Sequence, residues 1–191
     1  TLREIGGSLN KVVNDSINYG IKTGCNAVFK ISSAKRQQLI DSHESSREII
    51  KPFLTGRNAY RYTPPEHDSY VIFTRRGIDI DAYPAVKEYL SQHKERLKPK
   101  PKDWNPRHED AKWPGRKSGS YAWYEIQDAV DYYKAFEGTK IIYSDLSVRG
   151  SFTLDESGIY PANTLYIIAD AGLYLLGLLN SRLAGFYYIH H

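Results

Sequence analysis

Short apolar runs alternate with short helical runs along most of the chain. Residues 69–74 (SYVIFT), 140–147 (KIIYSDLS) and 27–31 (AVFKI) are rich in β-branched and aromatic side chains, which predicts strands. The phrases SFTLDESGIY and NTLYIIAD near the end predict further strands of a meander. SSAKRQQLIDSHES begins with a serine cap signal and predicts a short helix, and SREIIKPFL predicts a second helical turn that ends at Pro52.

A longer amphipathic helix is predicted in the middle of the chain. Asp81 suits a cap position and Pro84 suits a first turn. Val86, Leu90 and Leu97 then recur at spacings that place them on one helical face. This helix leads into residues 98–119, a long stretch rich in lysine and proline that we call the basic loop.

The last apolar stretch, residues 171–189, is largely apolar around its circumference and predicts a largely buried closing helix. Asn180, Ser181 and Arg182 interrupt it, so it is too short to predict a membrane span. The elements together predict an α+β fold with a mixed or antiparallel sheet and peripheral helices. Residues 1–15 are predicted to connect to an upstream domain, and residues 16–191 to form one domain carrying the basic loop.

The composition and the two ends of the sequence predict the cellular compartment of the protein and that the chain is a fragment. A single cysteine, Cys25, cannot form an intrachain disulfide, which is typical of a protein from a reducing cytoplasm. The chain begins at Thr1, contains no methionine and ends in His190 and His191. We therefore expect an excised fragment whose two final histidines belong to a tag.

Positive charge is concentrated near the basic loop. The formal net charge is +4, and residues 94–117 contain nine Lys or Arg against four Asp or Glu. A local excess of this kind is typical of a surface that binds a polyanion, although a solvated loop has the same composition. Trp104 and Trp113 favour a functional surface, because a merely solvated loop has no need of large aromatic rings.

No catalytic arrangement emerges from the spacing of reactive residues. Asp79 and Asp81 fit helix capping, and Asp103, Asp110 and Lys112 lie in a loop where a nuclease would need a rigid strand. The histidines lack metal-ligand spacing, and no glycine-rich cofactor motif is present. These observations predict a binding module with no catalytic residue, no metal and no cofactor of its own.

Six phrases in order carry a family resemblance. They are GIKTGCNAVFKI, IIKPFLTGRNAYRY, YVIFTRRGIDIDAYPAVKEYL, YAWYEIQ, KIIYSDLS and YLLGLLNSRLAGFYY. Together they resemble the TaqI-like specificity domain of adenine-N6 DNA methyltransferases and fused restriction-modification enzymes, over about residues 16–189.

The resemblance implies a target recognition domain that reads a short sequence of double-stranded DNA. It implies an upstream methyltransferase domain of the same parent chain, which binds S-adenosylmethionine and carries an Asn-Pro-Pro-Tyr type motif. That motif is not in this sequence, so the fragment itself is expected to be catalytically silent. The basic loop varies within such domains, so no base-reading residue carries over to it.

Candidate DNA contacts follow from residue type and position. Arginine and asparagine read guanine and adenine most often, and lysine and arginine bind phosphates. Turn chemistry, local ion pairs and a solvated loop surface are the alternatives. The candidates are Lys22, Thr23 and Asn26 in the glycine turn; Arg57, Asn58 and Arg61 in GRNAYRY; Lys100, Lys102, Arg107, Lys112, Arg116 and Lys117 in the basic loop; and Arg149 and Ser151 near a strand turn.

Three other functions remain open on the sequence. A protein-interaction module docking a partner subunit through its tyrosine-rich surface predicts binding that barely depends on salt. A single-strand or RNA binder predicts little preference for duplex. A small nuclease predicts magnesium-dependent cleavage, which the missing carboxylate arrangement disfavours.

Overall fold

We describe residues 7–56, 60–105, 112–144 and 150–190 of a computed structural model. The chain divides into two compact units. Unit 1 comprises Thr1–Ile21, Phe53–His67 and Tyr132–His191, and unit 2 comprises Lys22–Pro52 and Asp68–Asp131. None of the helices within the described ranges is long and apolar enough to cross a membrane.

Unit 1 is built on a four-stranded antiparallel sheet. Its elements are α1 (Leu9–Val12), β1 (Ile17–Tyr19), a 3-10 turn (Tyr133–Phe136), β5 (Lys140–Ser144), β6 (Phe152–Asp155), β7 (Tyr160–Pro161), β8 (Leu165–Ala169), α7 (Leu173–Leu179) and α8 (Arg182–His190). The strand order in the sheet is β1-β8-β5-β6. Register places Ile17 opposite Ile168, Ile168 opposite Ile141, and Ile141 opposite Leu154. This apolar row packs with Leu176 of α7 and forms the core of the unit.

The two central strands of unit 1 are buried on both faces. Ile141 and Ile142 of β5, and Ile167 and Ile168 of β8, are all inaccessible to solvent. Strands with both faces covered need continuous apolar runs, which explains why their sequences lack the alternation of a half-exposed strand. The strands predicted in KIIYSDLS, SFTLDESGIY and NTLYIIAD are confirmed.

A buried ion pair joins β5 to β6. Lys140 and Asp155 lie opposite each other in the register and are 0% and 1% exposed. Lys140 Nζ donates to Asp155 Oδ2 and to the main-chain oxygen of Phe136. The carboxylate also accepts from Ser157 N (3.0 Å), Ser157 Oγ (2.6 Å) and Ile159 N (3.0 Å). The pair therefore ties two strands and the turn after β6 together.

Unit 2 combines a small sheet with short helices. Its elements are α2 (Asn26–Phe29), β2 (Lys30–Ile31), α3 (Ser33–Ser42), α4 (Ser46–Ile49), the first part of β3 (Ile50–Leu54), β4 (Ser69–Ile72), a 3-10 turn (Ile80–Ala82), α5 (Pro84–Ser91) and α6 (Lys94–Leu97). β2 pairs antiparallel with β4, and Phe73 N donates to Ile49 O at 2.7 Å. The last two residues of β3 belong to unit 1, where they pair in parallel with β7. The α+β class with a mixed or antiparallel sheet is confirmed.

The helices of unit 2 begin largely as the sequence predicts. Ser32 caps α3 by accepting from Lys35 N at 3.2 Å, and Pro84 opens α5. Val86, Leu90 and Leu97 are fully buried as predicted, but the single predicted helix is two helices, since α5 ends at Ser91 and Leu97 lies in α6. Asp81 does not cap α5; instead Asp79 accepts from Asp81 N and caps the 3-10 turn before it.

Two local predictions in this region are wrong. The predicted strand at 27–31 is a helical turn until Phe29, because Val28 N and Phe29 N both donate to Cys25 O. Only Lys30 and Ile31 are extended. The helix expected to end at Pro52 ends at Ile49, and Pro52 lies within β3, whose extended backbone its fixed φ tolerates.

The predicted buried closing helix is also wrong. Two helices, α7 and α8, replace it, and Leu173, Tyr174, Leu183 and Phe186 are 62–83% exposed. The break has a physical reason at Asn180, whose side chain donates to Phe152 O (2.8 Å) and accepts from Phe152 N (3.2 Å). The amide thus pairs with the start of β6 as a strand would, and Ser181 Oγ accepts from Ala184 N in the first turn of the next helix.

Candidate nucleic-acid interface

The described part of the basic loop is closed at its base by a short parallel bridge in unit 2. Lys100 N donates to Arg116 O (3.0 Å), and Arg116 N donates to Lys98 O (2.9 Å). Leu97, which precedes the bridge, is fully buried and anchors this end. The loop is therefore attached at both sides of its base.

Gly115 and Trp113 fit tightly against the same base. A Cβ at Gly115 would lie 2.2 Å from Lys98 O, so only glycine permits this approach of two main-chain segments. The Trp113 indole N–H donates to Lys98 O at 3.2 Å. Trp113 and Trp104 meet edge to face with ring centroids 6.0 Å apart. The two tryptophans thus form a small aromatic cluster at the base of the loop.

Arg116 lies inside unit 2, with only 4% of its surface exposed. All five of its guanidinium N–H groups are directed at main-chain oxygens. Nε donates to Leu97 O (2.7 Å); Nη1 donates to Thr23 O (3.0 Å) and Glu125 O (2.7 Å); and Nη2 donates to Ala122 O (3.3 Å) and Trp123 O (3.0 Å). The prediction that Arg116 contacts DNA is therefore corrected, because its donors are used within the protein.

The Arg116 guanidinium also packs against two aromatic rings. The guanidinium carbon lies 4.4 Å from the ring centroid of Tyr121 and 5.4 Å from that of Phe29. Burial lowers the pKa of Arg116, and burial raises the pKa of the Tyr121 hydroxyl. The Arg116 guanidinium remains charged at neutral pH, because arginine in proteins is not deprotonated there.

The YAWYEIQ segment that leads out of the loop is fixed by a second group of contacts. The buried carboxylate of Glu125 accepts from Gly77 N (2.6 Å) and Ala122 N (2.8 Å), and it lies 3.1 Å from Arg76 Nε. Thr74 Oγ1 donates to Tyr124 O at 2.6 Å. These bonds hold the segment against the strand that ends at Ile72.

Lysines and aromatic rings alternate on the accessible part of this region. Lys100 Nζ lies 4.5 Å from the Trp104 ring centroid, and Lys94 Nζ lies 5.0 Å from that of Trp123. Lys98 Nζ pairs with Glu95 at 2.5 Å. Lys102, Lys112 and Lys117 are exposed, and Lys100 is half-buried. Exposed cations among half-buried rings suit binding to a charged, stacked polymer.

The glycine turn, residues 22–26 around Gly24, also belongs to unit 2. Thr23 is 1% exposed; its hydroxyl donates to Asn26 Oδ1 (2.7 Å) and accepts from Cys25 N (3.1 Å). Its buried side chain therefore holds the turn and is not presented to a ligand, which corrects its assignment as a contact. Lys22 is half-buried and Asn26 is exposed.

The remaining candidates lie elsewhere. Arg61 belongs to unit 1, is exposed and donates from Nε to Asn180 Oδ1 at 3.0 Å, and Ser151 of the same unit is half-buried. Four candidates lie outside the described residues, namely Arg57, Asn58, Arg107 and Arg149.

The two units differ in net charge. Unit 2 contains eighteen Lys or Arg and fourteen Asp or Glu, a net charge of +4, whereas unit 1 contains eight of each. The net positive charge of the chain therefore belongs to unit 2, which carries the basic loop. Within the described ranges, no group of three His, Cys, Asp or Glu side chains is placed to hold a metal ion.

Sequence reasoning did not name Lys94 or Arg76 as candidate contacts, although Lys94 lies in the basic segment 94–117. Lys94 contacts the ring of Trp123, 29 positions away in the sequence, and Arg76 contacts the carboxylate of Glu125, 49 positions away. No local pattern of spacing reports contacts of that length. The alternation of tryptophan and lysine around residue 104 is the local signal that pointed to this region.

The fold is shared with a solved DNA-acting enzyme. The type IIL restriction-modification enzyme MmeI, determined in complex with DNA, matches with a TM-score of 0.55 and 21% sequence identity. The match covers 87% of this chain and 20% of that chain, so this chain spans about a fifth of that enzyme's length. Curated protein sequences give no match.

A family model matches residues 51–191, about three quarters of the chain, and describes the TaqI-like C-terminal specificity domain. The matched range includes the whole basic loop and all the strands of unit 1 except β1. The family resemblance predicted from the sequence is thereby confirmed over residues 51–191, which leaves the first of the six phrases outside the match. The chain belongs to the family of TaqI-like C-terminal specificity domains.

Proposed function

We propose that this chain recognises a specific sequence of double-stranded DNA as the specificity domain of an adenine-N6 DNA methyltransferase or a restriction-modification enzyme. The observation that carries the proposal is the surface of unit 2, where exposed lysines alternate with tryptophans around a loop base held by main-chain hydrogen bonds. The family to which the chain belongs supports it.

The proposed DNA contacts fall into two kinds, contacts to phosphates and contacts to base edges. Lysine side chains bind phosphates and fix the register of the protein on the duplex, whereas groups at base edges in the major groove supply specificity. We assign phosphate contacts to Lys22, Lys100, Lys102, Lys112 and Lys117. Asn26 and Arg61, both exposed, are candidates for base edges, together with Ser151 and the candidates outside the described residues.

We propose that the chain is not itself catalytic. The sequence contains no Asn-Pro-Pro-Tyr type motif, which methyltransferases of this kind use to hold the extruded adenine. Chemistry on a base requires that base to leave the stack, so a separate domain would extrude and methylate it while this chain holds the duplex. S-adenosylmethionine would supply the methyl group and would bind in that separate domain, not in this chain.

The parent enzyme is proposed to contain an upstream methyltransferase domain and to act in the cytoplasm, where its DNA is accessible. MmeI, of which this chain matches a fifth, is an enzyme of such multidomain length. The exposed apolar side chains of α7 and α8 favour one further role, docking of another protein domain on unit 1. The sequence alternative placed a partner subunit on a tyrosine-rich surface, whereas this role uses the apolar side chains of α7 and α8 and is compatible with DNA binding by unit 2.

A titration against nucleic acids tests the proposed function. The chain is added to a labelled randomised duplex pool and to a matched single-stranded pool, at 50 and 200 mM salt. We expect duplex binding that weakens by about 500-fold between the two salt concentrations, as the five assigned phosphate contacts produce.

The two pools and two salts separate the alternatives. Preference for the single-stranded pool would replace the proposal with a single-strand or RNA binder. No binding to either pool at either salt, from a folded chain, would contradict DNA recognition by this chain and favour a protein partner.

A further inference from the structure

Arg116 connects three segments that are far apart in the sequence. The five oxygens that accept from its guanidinium lie at the end of α6, in the glycine turn, and in the segment between Ala122 and Glu125. The most distant of them, Thr23 O, is 93 positions away. One side chain therefore fixes the relative positions of three pieces of unit 2.

Each of these segments leads directly into the proposed DNA-binding surface. Lys22 and Asn26 flank Thr23 in the glycine turn. Lys98 and Lys100 follow Leu97, and Trp123 carries the ring that Lys94 approaches. Arg116 is itself followed by the exposed Lys117. The carbonyls that bind the guanidinium thus belong to segments that lie within a few residues of Lys22, Asn26, Lys100 and Lys117 in the chain.

The chemistry of the site is specific for arginine. A buried charge is costly unless its donors are satisfied, and here five carbonyl dipoles satisfy five N–H groups. The planar fork also stacks on Tyr121, at 4.4 Å from guanidinium carbon to ring centroid. A lysine at this position would present three tetrahedral donors and no plane, so it would leave at least two carbonyls without a partner.

We propose that Arg116 is a positioning residue for DNA recognition: it does not touch DNA but fixes the relative positions of the turn that carries Lys22, the chain that leads from α6 to Lys100, and the segment that carries Trp123. The inference rests on the proposed function of the chain. It explains why a charged side chain occupies the interior at the base of a basic loop, where a purely packing role would suit an apolar one.

The variant R116K tests this assignment, because it keeps the positive charge and removes the fork. We expect duplex binding at 0.15 M salt to weaken by about 30-fold, as removal of two phosphate contacts at about fivefold each would give. The slope of log affinity against log salt should become shallower by about 1.8. The indole N–H resonance of Trp113, which donates to Lys98 O, should shift.

A matched control separates positioning from general loss of stability. Ile141→Ala creates a cavity in a buried apolar cluster whose other members, Phe152, Ile168, Ala171 and Leu176, all belong to unit 1. Both variants are compared at a temperature at which each is folded. The control should keep wild-type affinity and the Trp113 resonance although its melting temperature falls.

Several outcomes would overturn the inference. Wild-type affinity in R116K would show that the fork is not needed for binding. An unchanged salt slope with an unchanged Trp113 resonance would fit a direct phosphate contact from residue 116, because lysine keeps the charge that such a contact needs. In either case wild-type duplex binding would leave the proposed function intact, whereas absence of wild-type duplex binding would contradict that function itself.

A measurement on the wild-type chain covers the case in which R116K does not fold. The Arg116 Nε–H, buried and bonded to Leu97 O at 2.7 Å, should exchange slowly with water and keep its chemical shift when duplex is added to saturation. A large shift of this resonance together with loss of its protection would mean that Arg116 leaves its five carbonyls to bind DNA, and would overturn the assignment.

Discussion

Replacement of Lys100, Lys102 and Lys117 together by Ala is expected to weaken duplex binding by about 100-fold at 0.15 M salt. These lysines lie on the described part of the basic loop, two exposed and one half-buried against Trp104. Each phosphate contact contributes about fivefold at this salt through release of counterions. Removing three of these phosphate-binding side chains should also make the slope of log affinity against log salt shallower by about 2.7.

Unit 1, which has no net charge, provides a control for this triple variant. Lys11, Lys134 and Arg182 are exposed in unit 1, and their replacement by Ala changes the net charge by the same three units. This control variant should bind with nearly wild-type affinity, because charge at a distance is screened at physiological salt. Equal decreases in affinity for the two triple variants would mean that affinity follows net charge alone and not the basic loop.

Lys140→Met is expected to lower the free energy of unfolding by about 3–5 kcal/mol. It leaves the carboxylate of Asp155 buried without the cation that faces it, and an uncompensated buried charge is strongly destabilising. Urea unfolding of wild type and variant measures the decrease. The double replacement Lys140→Met, Asp155→Leu removes the charge pair while keeping apolar bulk, so it should recover part of the stability.

The pH dependence of the same pair follows from the pKa of Asp155. Burial alone raises that pKa, but hydrogen bonds from Lys140 and Ser157 and the charge of Lys140 outweigh burial and leave it lowered. Burial also lowers the pKa of Lys140, yet the four donors around the carboxylate keep the pair ionised at neutral pH.

A lowered pKa in the folded state makes a stability contribution that is fully present above the unfolded value of about 3.9. That contribution disappears as the pH falls through the folded pKa of Asp155. Below this range Lys140→Met and wild type should approach each other in stability. A difference between them that does not change between pH 7 and acid would contradict the assigned ion pair.

Much of the secondary structure was predictable because it depends on neighbours in sequence. Ser32 caps α3 and Pro84 opens α5 through local chemistry, and the apolar runs of β5 and β8 predict buried strands. The closing helix was mispredicted because its break depends on Asn180 pairing with Phe152, 28 positions away. Apolar periodicity also does not distinguish burial within a unit from exposure, as Tyr174 shows at 83% exposed.

The candidate site, too, was predictable where it depends on local composition and not where it depends on distant residues. The cluster of lysines and tryptophans at 94–117 was visible as composition, and the structure places its described members in the positively charged unit. Composition could not separate Arg116 from Lys117, its neighbour in sequence, although one is 4% exposed and the other lies on the surface. That difference depends on five carbonyls supplied by residues between 6 and 93 positions away.

The central claim, that this chain reads a DNA sequence, is tested most directly by sequencing the duplexes it selects. The chain is incubated with a randomised duplex pool at 0.15 M salt, bound molecules are recovered over several rounds, and the enriched sequences are compared with those from the Lys100, Lys102 and Lys117 triple variant. We predict enrichment of one short motif by the wild-type chain, and the same motif with poorer recovery by the variant, because phosphate contacts supply affinity and base contacts supply specificity. Bound duplexes with the sequence distribution of the starting pool would contradict the account, since they would show binding to the DNA backbone without recognition of a target.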